Sequence, residues 1–225
     1  MRGMRPAPIA CLLLLAGCSS WLFSGDERLD RSRPVALVET TGGVEFGATT
    51  EFGVLTLGRT ATAGPCRVHY FLGPTPVIER GELAAATGTF TRATIDLKTQ
   101  LLRALDHTPG ADDRLGVMWT PDGRTTRALP VSLARAPGIT GDVLADPGEE
   151  LPAGATVLCV GEHGYLFAGL VAGRATLDQG PAQGRYYVFA GVDRVRELLA
   201  IPQRHPVDLE PHYRPDDIIV QKPVK

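Results

Sequence analysis

Serine is scarce in this 225-residue chain, and beyond Ser32 only Ser132 remains. A serine hydrolase needs its hydroxyl on a sharp, exposed turn beside a base. Ser132 instead falls in residues 131–135, which read as a strand, so it is read as structural. Four cysteines are present, with no CxxC pair and no histidine at ligand spacing, which leaves no zinc framework and predicts no metal and no cofactor. Positive charge is not in excess either. The formal charge is −2 and becomes −4 without Arg2 and Arg5, so a nucleic-acid role lacks its electrostatic footprint.

What is present begins with an export signal. Arg2 and Arg5 precede an apolar run at residues 9–15, too short for a permanent membrane helix and laid out like a secretory signal. Leu15-Ala16-Gly17-Cys18 resembles the lipobox of bacterial lipoproteins, in which cleavage leaves the cysteine as a lipid-modified N-terminus. The resemblance implies a signal peptide at 1–17, palmitate-type acylation of Cys18, and membrane attachment through that lipid. Ser19 rather than Asp follows, which in that family's sorting habit favours the periplasmic face of the outer membrane. Residues 18–33 suit a tether, with Trp21 and Phe23 either in the headgroup layer or in a mobile linker.

Roughly 170 residues, 34–203, then suffice for one globular domain with a real core, in which two similar halves have room; no internal repeat is strong enough to name. Cys66 and Cys159 are the cysteines left in this part. In an oxidising periplasm they either close a loop of over ninety residues, worth about 4–5 kcal/mol by chain entropy, or stay as two separate buried thiols.

Strand periodicity dominates from Pro34. Residues 35–39, 44–48, 53–57, 66–72 and 75–79 are short runs rich in β-branched and aromatic residues, separated by Gly, Pro or Thr. Residues 83–86 read as one helical turn and 89–97 as another strand. Leu97, Leu101, Ala104 and Leu105 fall at helical spacing and predict a short helix over 98–105. Pro121-Asp122-Gly123 predicts a turn joining strands 115–120 and 124–129, and residues 136–154 read as loop. Residues 156–160 and 165–171 flank Gly161-Glu162-His163-Gly164 as a hairpin. Residues 186–190 form a strand before a helix from Val192, which Pro202 ends. Residues 204–225 read as an extended, proline-studded tail.

Other polar clusters have plain readings. His69 and His163 read as surface or satisfied residues. Asp106, Asp112 and Asp113 suit a solvated acidic loop better than a calcium site, since the spacing matches no known loop. His205, Asp208, Glu210, His212, Asp216 and Asp217 are the densest set of metal-ligand types, but the four prolines between 202 and 215 keep that segment from folding back. Cys66 and Cys159, in apolar strands, suit inert thiols.

The stretch 151–199 carries a second resemblance. Residues 151–159 followed by 162–171 resemble the trypsin-like serine peptidase segment Gly-Asp-Ser-Gly-Gly-Pro-Leu-Val-Cys, its hairpin and Gly-Ile-Val-Ser. Tyr186-Tyr187-Val188-Phe189 and the helix from Val192 are similar to that family's last strand and C-terminal helix. Upstream, Phe46-Gly47-Ala48 and Val54-Leu55-Thr56-Leu57-Gly58-Arg59 are similar to the strand pair ending in Leu-Thr-Ala-Ala-His. The resemblance implies a mostly-β double barrel with a short C-terminal helix; a β-sandwich is the alternative. It places Ala153 at the nucleophile, Pro152 at the aspartate beside it, Arg59 at the histidine base, Asp96 loosely at the third triad position and Leu151 at the oxyanion-hole glycine. Alanine has no oxygen to attack with, and an arginine stays protonated and takes no proton. The expectation is a non-catalytic binding protein of the cell envelope, not an enzyme, in which Ala172, Gly173 and Arg174 take up an extended peptide or an envelope protein. An envelope scaffold with an unrelated β-fold is the other reading.

Overall fold

The computed structural model describes residues 33–85, 90–99, 101–139, 141–161, 164–177 and 183–194. The expected signal, the lipid site Cys18, the tail, His163 and most of the closing helix lie outside these residues; of that helix, residues 192–194 are described and are helical.

Alternation of apolar and polar residues sets the first half. In β4 (Gly64–Leu72), Cys66, Val68 and Tyr70 are buried while Pro65 and Arg67 face solvent. With β1 (Val35–Thr40), β2 (Gly43–Thr50), β3 (Gly53–Thr56), β5 (Thr75–Leu83) and β6 (Thr91–Thr94), this strand closes an antiparallel barrel in the order β1-β2-β3-β6-β5-β4. Closure leaves no free sheet edge and gathers Ala36, Val38, Val54, Cys66, Val68, Tyr70, Leu83 and Ala93 inside. The helical turn expected at 83–86 is not there in its described part, because Leu83 pairs with Gly64 and Ala93 as the last residue of β5.

The second half repeats the plan. After β7 (Arg103–Ala104) come β8 (Leu115–Trp119), β9 (Arg127–Val131), β10 (Asp142–Ala145), β11 (Thr156–Gly161), β12 (Gly164–Leu177) and β13 (Gly184–Gly191). Their order is β10-β13-β12-β11-β8-β9. Bonds from Ala134 N–H to Val143 O (2.8 Å) and Ala145 N–H to Ser132 O (2.9 Å) join the two ends. The ring β8-β9-β10-β13-β12-β11 therefore reproduces the first barrel strand for strand. This double barrel is the architecture the resemblance implied, and closed rings replace the two open, face-packed sheets of the sandwich alternative.

Two local expectations are corrected. Residues 136–154 contain β10, which Asp142–Ala145 forms by pairing with Tyr186–Phe189 of β13. Residues 98–105 are not a helix in their described part, because both barrels take their backbone groups. Leu102 N–H bonds Thr49 O and its carbonyl accepts from Glu51, while Leu105 N–H bonds Phe167 O at 2.9 Å. The segment is an extended linker that ties the first barrel to β12, with Leu102 and Leu105 buried as anchors.

The larger core fills the second barrel and reaches into the first, since Val35, Ala48, Leu55 and Phe71 pack with Leu158, Phe167 and Leu170. Each fully buried Val, Leu or Phe side chain here contributes about 1.5–3 kcal/mol. Cys159 belongs to this cluster and Cys66 to the interior of the first barrel. Both thiols are free, so of the two readings for this pair the separate buried thiols hold and the bridge does not form.

Candidate functional site

Two connections meet at one stretch of β12. The first is the turn 151–155. Gly154 N–H donates to Val171 O (2.8 Å) and Val171 N–H to Ala155 O (2.8 Å), which fastens the turn to β12. On its other side the turn lies against the first barrel: a methyl group on Gly154 would stand 2.4 Å from the carbonyl oxygen of Phe46 in β2. Gly154 also adopts φ +87°, a conformation glycine takes without steric cost. Next door, the buried Thr156 hydroxyl donates to Gly47 O at 3.3 Å. Ala153 is exposed at the tip of this turn.

The second connection is the loop after β3 that carries Arg59, and it is built around Glu45. This carboxylate is only 8% exposed. Its Oε2 accepts from Gly58 N–H (2.9 Å); its Oε1 accepts from the N–H of Thr60, from the Thr60 hydroxyl (3.2 Å) and from Ala61 N–H (2.9 Å). Burial alone raises a carboxyl pKa, but these donors and Thr56 outweigh it and hold Glu45 below the usual carboxylate range. The loop is thereby fixed with the exposed Arg59 pointing its guanidinium at β12. A methyl group on Gly173 would lie 3.9 Å from Arg59 Nη1. Among the described residues Arg59 has no ion-pair partner.

Sequence reasoning missed Glu45, because its inward turn shows only in the fold. In β2 the usual alternation is inverted, with Val44 53% exposed and its charged neighbour buried. An acid turned inward with an apolar residue turned outward marks a carboxylate that has backbone donors to satisfy.

The structure thus brings Arg59 and the turn of Ala153 to residues 171–173, beside the Ala172-Gly173-Arg174 segment. Among the described residues Asp96 makes none of these contacts. That residue is exposed, its charge acts on the Tyr70 hydroxyl, and among the described residues no ion pair joins it to Arg59. The Tyr70 hydroxyl itself donates to Glu79 (2.8 Å), and burial followed by that carboxylate pushes its pKa up to about 12.

β12 itself is half covered. On one edge it pairs with β13 as far as Leu177↔Gly184. On the other, pairing with β11 stops at Thr156↔Leu170, and the turn 151–155 then takes Val171. From Ala172 to Leu177 that second edge has no strand beside it among the described residues. A bulge between Val171 and Gly173 bends the strand where it leaves β11.

Elsewhere several charged groups lie close to one another. His69 lies 3.2 Å from Glu39. His107 contacts Asp106 (2.7 Å) and Asp113 (3.2 Å), and Asp113 also accepts from Gly110 N–H and from the Cys159 thiol. Burial and the Asp113 charge push the Cys159 thiol up to about 11, and burial raises Cys66 as well, which disfavours the thiolate in both. Among the described residues no group of three or more His, Cys, Asp or Glu is arranged to hold a metal. Ser132 is exposed, with its backbone bonded to β10.

No protein-family model and no curated protein sequence matches the chain. Solved structures do. Kallikrein-related peptidase 10 superposes with a TM-score of 0.51 at 11% identity, over 76% of this chain and 94% of its own. The structure of the HtrA-type protease AlgW with tripeptide superposes with a TM-score of 0.53 at 16% identity, over 77% of this chain and 62% of its own. At such identities the likeness shows the fold, a trypsin-like peptidase double barrel.

Proposed function

We propose that this chain is a non-catalytic binding protein of the cell envelope, held to the periplasmic face of the outer membrane by a lipid on Cys18. It uses the place where its fold carries an active site in peptidases to hold an extended peptide. The lipid anchor rests on the lipobox-like Leu15-Ala16-Gly17-Cys18 behind a short apolar run. The binding role rests on one observation: Arg59 and the turn of Ala153 flank an open strand edge at 172–177.

Chemically, the two flanking residues do not serve hydrolysis. The methyl of Ala153 forms no acyl intermediate, and a guanidinium, already protonated, takes no proton from water or hydroxyl. What remains is recognition by backbone pairing, in which an added strand contributes main-chain hydrogen bonds and side-chain pockets contribute selectivity.

Purified mature protein, incubated with a fluorophosphonate probe and with a quenched-peptide pool, is expected to show neither labelling nor turnover above the blank. Turnover that persists in Ser132→Ala and tracks the purified protein through a second column would remove the non-catalytic reading.

A further inference from the structure

The edge of β12 has a direction, and Arg59 stands at one end of it. We infer that the occupant is an extended peptide whose own C-terminal carboxylate lies against Arg59; the inference rests on the reading that this edge accepts a peptide.

Each neighbour of β12 along the barrel, β11 and β13, runs antiparallel to it. A strand continuing that pattern on 172–177 enters beside Leu177 and ends beside Ala172. It cannot run further along β12, because the turn 151–155 already holds the backbone of Val171. The peptide's last residue therefore arrives where Arg59 Nη1 approaches Gly173. A parallel strand would bring its N-terminal ammonium to the same place, against a guanidinium of like charge. The charge at the closed end selects both the orientation and the group.

Arg59 is equipped for this. The buried acid around which its loop is built, Glu45 of β2, spends its oxygens on the backbone N–H groups of Gly58, Thr60 and Ala61 and on the Thr60 hydroxyl. The guanidinium is left with its planar set of donors, which matches a carboxylate in bidentate fashion. Six residues of edge at about 3.3 Å each span about 20 Å, enough for a peptide of about six residues. Every second one of them turns its N–H and C=O outward.

The test uses two fluorescein-labelled pools of random hexapeptides, one with free C-terminal carboxylates and one amidated, titrated with the purified mature protein and read by anisotropy. The free-acid pool is expected to bind about tenfold more tightly. Arg59→Gln should bring it to the level of the amidated pool, and Arg59→Lys should keep part of the preference. Unchanged circular dichroism is expected for both variants, since Arg59 is exposed. Equal binding of the two pools, or a preference that survives Arg59→Gln, overturns the carboxylate inference while leaving peptide addition standing. Binding of neither pool overturns both.

Discussion

Replacing Gly154 by alanine is expected to lower the stability of the domain by about 2–5 kcal/mol, read as a fall in the urea midpoint at unchanged slope. Two costs add. The φ of +87° is one that L side chains resist. The new methyl would also stand 2.4 Å from the Phe46 oxygen and 3.0 Å from its carbonyl carbon. Those atoms belong to β2, which is paired on both sides by β1 and β3 and has nowhere to retreat. Relief by shifting the turn instead would break the two bonds that fasten it to Val171. Gly148→Ala serves as the comparison. It shares a positive φ of +81° but has nothing within 4 Å, so it should cost only about 1–2 kcal/mol. The difference between the two variants measures how tightly the turn is wedged between the barrels. Equal losses would mean that it is not.

Glu45→Gln is expected to cost about 2–3 kcal/mol and to weaken peptide binding together with stability. The amide keeps the shape but turns an NH2 group toward backbone donors and removes the charge that strengthens the remaining bonds. The loop from Gly58 to Ala61 then loses the group that orients Arg59. The pH dependence has a definite sign. The folded-state pKa of Glu45 is lowered. Its stabilisation is therefore complete above the unfolded-state value of about 4.3 and is lost as pH falls through the folded-state value. Wild type and variant should differ most near neutral pH and converge in acid. A gap that stays constant down to acid pH would show that the charge of Glu45 is not what holds the loop.

How much of this was visible beforehand depended on local pattern. Short runs rich in β-branched and aromatic residues, such as β1, β4 and the β11-β12 hairpin, are legible, and the Pro121-Asp122-Gly123 turn is as well. Asp122 there caps its own turn by accepting from the N–H groups of Arg124 and Thr125. β10 is too short, at four residues between glycine-rich and proline-rich segments, to show a period. The linker misleads because Leu97, Leu101, Ala104 and Leu105 match helical spacing, while the buried anchors, Leu102 and Leu105, serve two different barrels. The repeat of six strands is a repeat of topology without one of sequence. At the site, the resemblance singled out Arg59, Ala153 and the 172–174 segment; Arg59 Nη1 lies near Gly173, and the turn that carries Ala153 is bonded to Val171. Asp96 was matched only loosely by the resemblance, and its charge acts on the Tyr70 hydroxyl. Glu45 acts through backbone atoms, which no motif of side chains records.

Hydrogen exchange of the mature protein with and without the free-acid hexapeptide pool tests the central claim most directly. Added backbone pairing on β12 should slow exchange at 172–177 and quiet the Arg59 loop at 58–61, while β4 and β5 on the closed barrel stay unchanged. Protection that appears elsewhere, or an edge whose exchange does not respond to peptide, would contradict a binding site at the open strand.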